Sequence, residues 1–270
     1  MLQERVAVHL VGCGGNGSQM LTGLARLHCA MLALGHPGGL EVTVWDPDKV
    51  SESNVGRQLF SRADIGRHKA ICLVERVNLY YGFNWQARPA RYSVQTSQRA
   101  NVDLLITCVD TAKDRRDIAL QMQHRAWLAP RYWLDLGNME FTGHAILGVP
   151  EQTQHLHFGV TTSGAIARGQ GKEEMVPLAR LPIVTEVYPD LLDETILEDN
   201  TPSCSLAEAL RSQGLFINQA VATWALTILE RLFRFGRIEH HGYLINLESG
   251  RVNPLPVPSV IPERVKEAQS

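Results

Sequence analysis

The sequence predicts an α/β fold: a mostly parallel sheet with helices on both faces, continued by an antiparallel extension in the second half. Three observations carry this prediction. Short apolar runs alternate with longer helical patterns as far as about residue 137, as strand–helix–strand units do. The first run leads into a cluster of glycines, Gly12, Gly14, Gly15 and Gly17, with a helical pattern behind it. Beyond that point strand-like stretches succeed one another through turn residues.

The elements follow in order. "RVAVHLVG" is a buried-type strand, and from Ser18 to about Leu34 the pattern is helical and apolar on most faces until "HPGG" breaks it. "LEVTVWD" is the second strand. The spacing predicts a helix over Arg67 to Tyr81, ended by "GFN", and a short third strand within "WQARPARYSV". "VDLLITCVD" is the next buried strand and "TAKDRRDIALQMQHRAW" a helix. "RYWLDLGNMEFTGHAILGVP" reads as two strands with a turn at Gly137-Asn138. Residues 160 to 203 lack a period. There "TEVYPDLLDETILED" carries six acidic residues and no basic one, so it is either a solvated segment or a docking surface for a basic partner. "SLAEALRSQGLFINQAVATWALTILERLFRFG" is a strong helical region interrupted near Gly214, and "HGYLINLESGRVNPLPVP" a hairpin across Glu248-Ser249-Gly250. The tail "SVIPERVKEAQS" is a short helix or frayed.

The bulk properties narrow the function classes. The chain has 270 residues, 44% of them hydrophobic, which is enough for a full core. A formal net charge of −2 implies no global attraction to nucleic acid or to a membrane surface. No apolar run approaches the roughly 20 residues of a membrane span, and the N-terminus starts a strand almost at once, not a signal peptide. The five cysteines form no C-x-x-C pair, which argues against a disulfide framework and a four-cysteine zinc site and for a reduced, cytoplasmic protein.

G-C-G-G-N-G fits G-x-G-x-x-G with Gly12, Gly14 and Gly17 as the three glycines. Such a loop lets backbone approach phosphate closely, and the helix behind it offers free N–H groups and a positive dipole end. Asp46 ends the second strand, where folds of this Rossmann-like kind place a ribose-binding acid. A dehydrogenase reading explains these features and stops there. It does not explain the polar stretch that follows Asp46.

That stretch, "DPDKVSESNVGRQLFSRADIGRHKA", resembles the signature of the ThiF/MoeB/ubiquitin-activating (E1-like) superfamily of adenylating enzymes. The pattern is carried by Asp46, Asp48, Val50, Ser53, Asn54, Arg57, Gln58, Asp64, Ile65, Gly66, Lys69 and Ala70. "CVDTAKDR" resembles the family's Thr-Asp-Asn-x-x-x-Arg, giving Asp110 and Arg115, with Thr111 where Asn is usual. "PSCSLAEAL…FINQAVATWAL" resembles its late cysteine segment, and the details look most like the ThiF-like proteins of plasmid-associated PRTRC systems. The resemblance covers roughly residues 5 to 235 of one domain, 1–270, divided into a nucleotide-binding part, 1–137, and a crossover-loop, late-helix and hairpin part, 138–270.

The resemblance implies ATP-dependent adenylation of the C-terminal carboxylate of a ubiquitin-like protein ending in Gly-Gly, with Mg²⁺. The residue types suit that chemistry, which needs positioning and charge neutralisation more than covalent participation. Arg57 and Lys69 supply cations for the triphosphate: the guanidinium can fork onto oxygens, and the ammonium acts as a point charge. Asn54 is an uncharged donor, Asp46 holds the ribose, and Gly15 allows close backbone approach. Asp110, at the carboxyl end of a buried strand, is a natural Mg²⁺ ligand. Asp48, Ser53, Gln58 and Arg115 complete the nucleotide set by resemblance. Cys204 is either a thioester-forming thiol at a helix start or a packed small hydrophobe. His155 and His157 form a possible metal pair with no third ligand evident, and the other cysteines read as core.

Two departures from the family matter. The paired C-x-x-C motifs of its structural zinc are missing, so no structural zinc is expected. The N-terminal helix that carries an arginine into the neighbouring subunit's ATP site finds no room before Val6, and Arg115 stands in the right block to replace it. A homodimer is implied by resemblance, with apolar late helices to support it. The alternatives to ubiquitin-like activation are adenylation of a small-molecule or RNA-attached carboxylate, a non-catalytic ATP-binding scaffold, and a dinucleotide-dependent oxidoreductase.

Overall fold

A computed structural model describes residues 5–93, 102–124, 129–151, 181–193 and 214–258. One eight-stranded sheet organises them, in the order β3-β2-β1-β4-β5-β6-β7-β8. Strands β1 (Val6–Val11), β2 (Leu40–Trp45), β3 (Gln86–Arg88), β4 (Leu104–Thr107) and β5 (Tyr132–Asn138) run parallel. Strands β6 (Thr142–Gly148), β7 (His240–Asn246) and β8 (Arg251–Pro256) continue it antiparallel. The predicted fold class, parallel first half and antiparallel extension, is the observed one. The chain winds outward from β1 to β3, then returns to lay β4 on the other side of β1. That reversal opens a crevice beyond the carboxyl ends of β1 and β4.

Helices cover both faces because the central strands are apolar on both. Helices α1 (Gly15–Ala33) and α2 (Lys69–Tyr81) and the late helix α5 (Ile217–Phe235) bury Met20, Leu24, Leu73, Val221 and Ile228 against Leu10, Val42, Ile106 and Leu134. On the opposite face α3 (Ala112–His124) and the short α4 (Val184–Val187) close over Leu105, Trp133 and Ile146 with Ile118, Met122 and Val184. Part of the acidic stretch is therefore cavity wall and core, since Tyr188 and Leu191 pack beside α3. Among the described residues no helix is long and apolar enough to cross a membrane.

Helices α1 and α5 touch through glycines. A Cβ at Gly15 would collide with the Asn218 side chain and one at Gly23 with Leu226. Both contacts advance together along the two helices, so the helices run parallel with their N-termini at the same end. The apolar stripe of α5 is spent here and on the sheet, within the chain: Ile217, Val221, Ala225, Ile228 and Leu229 are all buried.

Two boundaries differ from expectation. Helix α1 starts at Gly15, so the last glycine of the motif is already helical. The turn read at Gly137-Asn138 lies at Met139–Phe141 instead, closed by Met139 N–H donating to Thr142 O at 2.8 Å. Gly137 is a strand residue opposite His144, and a Cβ there would clash with the His144 ring and lie 3.0 Å from Arg115 Nη2. Its missing side chain makes room for neighbours, which sequence alone reads as a turn signal.

Candidate functional site

A cavity of about 1100 Å³ occupies the crevice above the carboxyl ends of the parallel strands. The glycine loop forms one wall. Gly12 has φ +88°, a left-handed value, and any Cβ there would lie 2.7 Å from Cys108 O. The turn thus brings the backbone after β1 against the strand end that carries Asp110. A Cβ at Gly17 would run into Gly12 O, so this glycine serves loop–helix packing and does not line the cavity. Gly12, Gly14 and Gly15 do line it, and the first N–H groups of α1 open toward it.

The block after β2 forms the second wall. Asp46 is 4% exposed and accepts from Cys13 N–H at 2.5 Å and Asp48 N–H at 2.8 Å. Burial raises its pKa above the ordinary carboxylate value, and the charge of nearby Lys69 opposes that rise. Lys69 is the first residue of α2, buried, with Nζ 3.1 Å from the exposed carboxylate of Asp48. A lysine at a helix N-terminus is placed against the helix dipole. Its position here is set by the cavity it faces and by Lys69 N–H donating to Asp48 O at 3.0 Å. Arg57 reaches in from the loop between them. Burial lowers its pKa, while the charge of Asp110, which lines the same cavity, opposes that shift.

The predicted residues are thus brought together unevenly. Asp46, Asp48, Arg57, Gln58, Lys69, Asp110, Gly12, Gly14 and Gly15 line one cavity. Ser53 and Asn54 are buried and do not line it. Asn54 Oδ1 accepts Ser51 N–H at 2.9 Å and Ser53 Oγ meets Ser51 Oγ at 2.9 Å, so both shape the turn that delivers Arg57 and Gln58. Cys204, His155 and His157 lie outside the described residues. Among the described residues no group of three or more His, Cys, Asp or Glu is arranged to hold a metal ion.

Arg115 departs furthest from expectation. It lines the cavity but is only 6% exposed, and its guanidinium is committed to protein. Nε–H donates to both Asp135 oxygens at 3.1 and 2.9 Å, Nη1 to Thr111 O at 3.3 Å, and Nη2 to Val109 O at 2.6 Å and Leu136 O at 3.0 Å. Asp135 is fully buried on β5 and also accepts from Thr107 Oγ at 2.5 Å and meets His144 Nε2 at 2.8 Å. Trp133 Nε1–H in turn donates to Thr107 Oγ at 2.7 Å. Burial alone would raise the Asp135 pKa, yet the Arg115 charge and the His144 and Thr107 contacts hold it below the ordinary value. Arg115 is therefore a strut of the cavity floor, fixing the strand end that presents Val109 and Asp110.

The sequence reading missed two of three buried polar side chains that line the wall around the α1 N-terminus. Asn16, Gln58 and Asn218 are buried, line the cavity, and each leaves one polar atom without a partner among the described residues: Asn16 Oδ1, Gln58 Oε1 and Asn218 Nδ2. Gln58 had been singled out only by resemblance. Asn16 sits inside the glycine motif and links to Asn138 Oδ1 at 2.9 Å, tying α1 to the end of β5. Asn218 carried one legible signal, a polar residue within the apolar run of a buried helix.

The sequence matches the family model described as "ThiF family" over residues 3–264. It is 30% identical over 159 residues to Ubiquitin-like modifier-activating enzyme 6 of Mus musculus, covering 56% of this chain and 14% of that protein. A crystal structure of selenomethionine PaaA is similar with a TM-score of 0.57 at 12% identity, over 94% of this chain and 65% of that one. E. coli tRNA N6-threonylcarbamoyladenosine dehydratase, TcdA, crystallised in complex with ATP, has a TM-score of 0.39 at 20% identity, over 48% of this chain and 50% of that one. The chain spans less than two thirds of each of these proteins' own length. The PaaA likeness speaks to the fold, and none of the matches bears on the plasmid-associated subgroup.

Proposed function

The chain belongs to the ThiF family, and from that premise we propose that it is an ATP-dependent adenylating enzyme. A substrate carboxylate oxygen attacks the α-phosphorus of ATP, the bond to the bridging oxygen breaks, and pyrophosphate leaves with its electron pair. The observation that carries this reading is the convergence of Arg57, Lys69, Asp46 and Asp110 on one cavity above a glycine loop. A dehydrogenase would use the loop and Asp46 but has no need of a half-buried guanidinium and a buried ammonium lining the same space.

Each group has a role that follows from its surroundings. The α1 N-terminus and the loop backbone receive phosphate. Arg57, partly desolvated and sharing the cavity with Asp110, is a guanidinium for the oxygens that gain charge as pyrophosphate departs. Lys69, nearly buried, is a point charge beside Asp48. Asp46 keeps oxygen lone pairs beyond those used by Cys13 and Asp48, enough to accept from a ribose hydroxyl. Asp110 is exposed on the cavity wall, and one carboxylate supplemented by phosphate oxygens fits Mg²⁺. When bound, the ion would neutralise phosphate charge.

The acceptor we propose is the C-terminal carboxylate of a ubiquitin-like protein ending in Gly-Gly. The signature around Asp46 to Ala70 and the name of the mouse relative support it. Transfer to Cys204 and a homodimer belong to the same proposal. ATP–pyrophosphate exchange that depends on such a protein is the direct assay. Exchange stimulated by a small carboxylic acid or an RNA-attached one would move the acceptor class, and ATP binding without any exchange would make the chain a scaffold. Undiminished exchange in both Arg57→Ala and Asp110→Ala would overturn the site.

A further inference from the structure

Arg115 is spent on the floor, so the donors that remain beside the α1 N-terminus decide how a phosphate is held there. Asn218 stands in the first turn of α5, is 2% exposed, and its Nδ2 has no partner among the described residues. A buried amide donor left unmatched costs free energy unless a ligand meets it. The side chain lies flat against Gly15, the first residue of α1, where any Cβ would collide with all three atoms of the carboxamide group. It also lines the cavity. Because α1 and α5 run parallel, both helices bring their unpaired first-turn N–H groups and positive dipole ends to this point.

We propose that Asn218 is a phosphate-positioning residue, its amide N–H donating to the nucleotide phosphate seated on the α1 N-terminus. The inference rests on the nucleotide reading above and deepens it: the anion is held partly by a neutral donor from the second half of the chain. The arrangement also explains Gly15. Its missing side chain is the space through which a residue 203 positions later reaches the loop.

The test is binding of ATP and of adenosine, both with Mg²⁺, to the full chain by calorimetry. Asn218→Ala is expected to weaken ATP about tenfold or more, the range for a hydrogen bond to a charged group, with adenosine unchanged. Asn218→Asp keeps the volume but turns a carboxylate toward phosphate, and is expected to weaken ATP further, again sparing adenosine. It also serves should the alanine variant not fold. Equal weakening of ATP and adenosine would mean that Asn218 only props Gly15, and unchanged ATP binding in both variants would mean that it does nothing here; either overturns the proposal. A wild-type chain that binds no ATP would instead remove the nucleotide reading on which the proposal stands.

Discussion

The floor and the far wall of the cavity are both built from buried polar side chains, yet they are built differently. On the floor, Arg115, Asp135, Thr107, Trp133 and His144 use one another, and the Arg115 guanidinium alone meets four different residues. On the wall, Asn16, Gln58 and Asn218 each keep an atom without a partner among the described residues. A closed network gives rigidity and a unique strand register, while open valences facing a cavity are places for a ligand. Charge and burial do not distinguish the floor from the wall; hydrogen-bond saturation does.

The largest effect expected from this contrast is on the floor. Arg115→Ala leaves Asp135 buried without its counter-charge and should cost about 3–5 kcal/mol of stability, read by urea unfolding. A loss under 1 kcal/mol would show that the floor is not the strut described.

The contrast has a pH arm. Asp135 is paired and its pKa lies below the ordinary carboxylate value, so its stabilisation is complete above that value and lost only as pH falls through the lowered one. His9, buried against Trp45 and Tyr92 with Nδ1 unpartnered, has its pKa lowered from 6.5 to about 4 by burial and secondarily by Arg88. The unfolded chain protonates first, so stability should fall as pH drops from 6.5 toward 4. The loss is on the order of 3 kcal/mol, at roughly 1.4 kcal/mol per pH unit. His28 and His241 shift in the same direction, so His9→Leu should reduce that slope without abolishing it, as followed by unfolding at stepped pH.

Next come the cavity cations. Arg57→Ala should lower pyrophosphate exchange by about 100-fold, close to the loss of one preorganised charge-stabilising donor, while shifting the melting temperature by only a few degrees. A collapse in melting temperature equal to that of Arg115→Ala would erase the distinction between the two regions. The smallest effect on stability is expected at the exposed rim of the cavity. Lys113→Ala breaks an exposed i,i+4 pair with Asp117 at 3.1 Å and should change stability by under roughly 0.5 kcal/mol in the same urea assay.

Much of the nucleotide block was legible because it is local. Asp46, Asp48, Arg57, Gln58 and Lys69 fall within one stretch of chain, and chemistry that uses neighbouring residues leaves a readable pattern. Two departures from the sequence reading share one cause. Gly137 reads as a turn residue and Arg115 as a nucleotide contact, and their surroundings are set by His144 and Asp135, which sequence gives no means of pairing with them.

By itself the sequence determined the alternation of strands and helices, the glycine turn, and the cation and carboxylate types that line the cavity, since each depends on short-range periodicity, backbone conformation or intrinsic chemistry. Tertiary structure alone decided which polar groups are spent and which remain open. The order of strands in the sheet and the parallel packing of α1 on α5 bring Asp135 to Arg115 and Asn218 to Gly15 across 20 and 203 positions respectively. Hydrogen-bond saturation is a property of neighbours in space, and those neighbours exist only once the chain has folded.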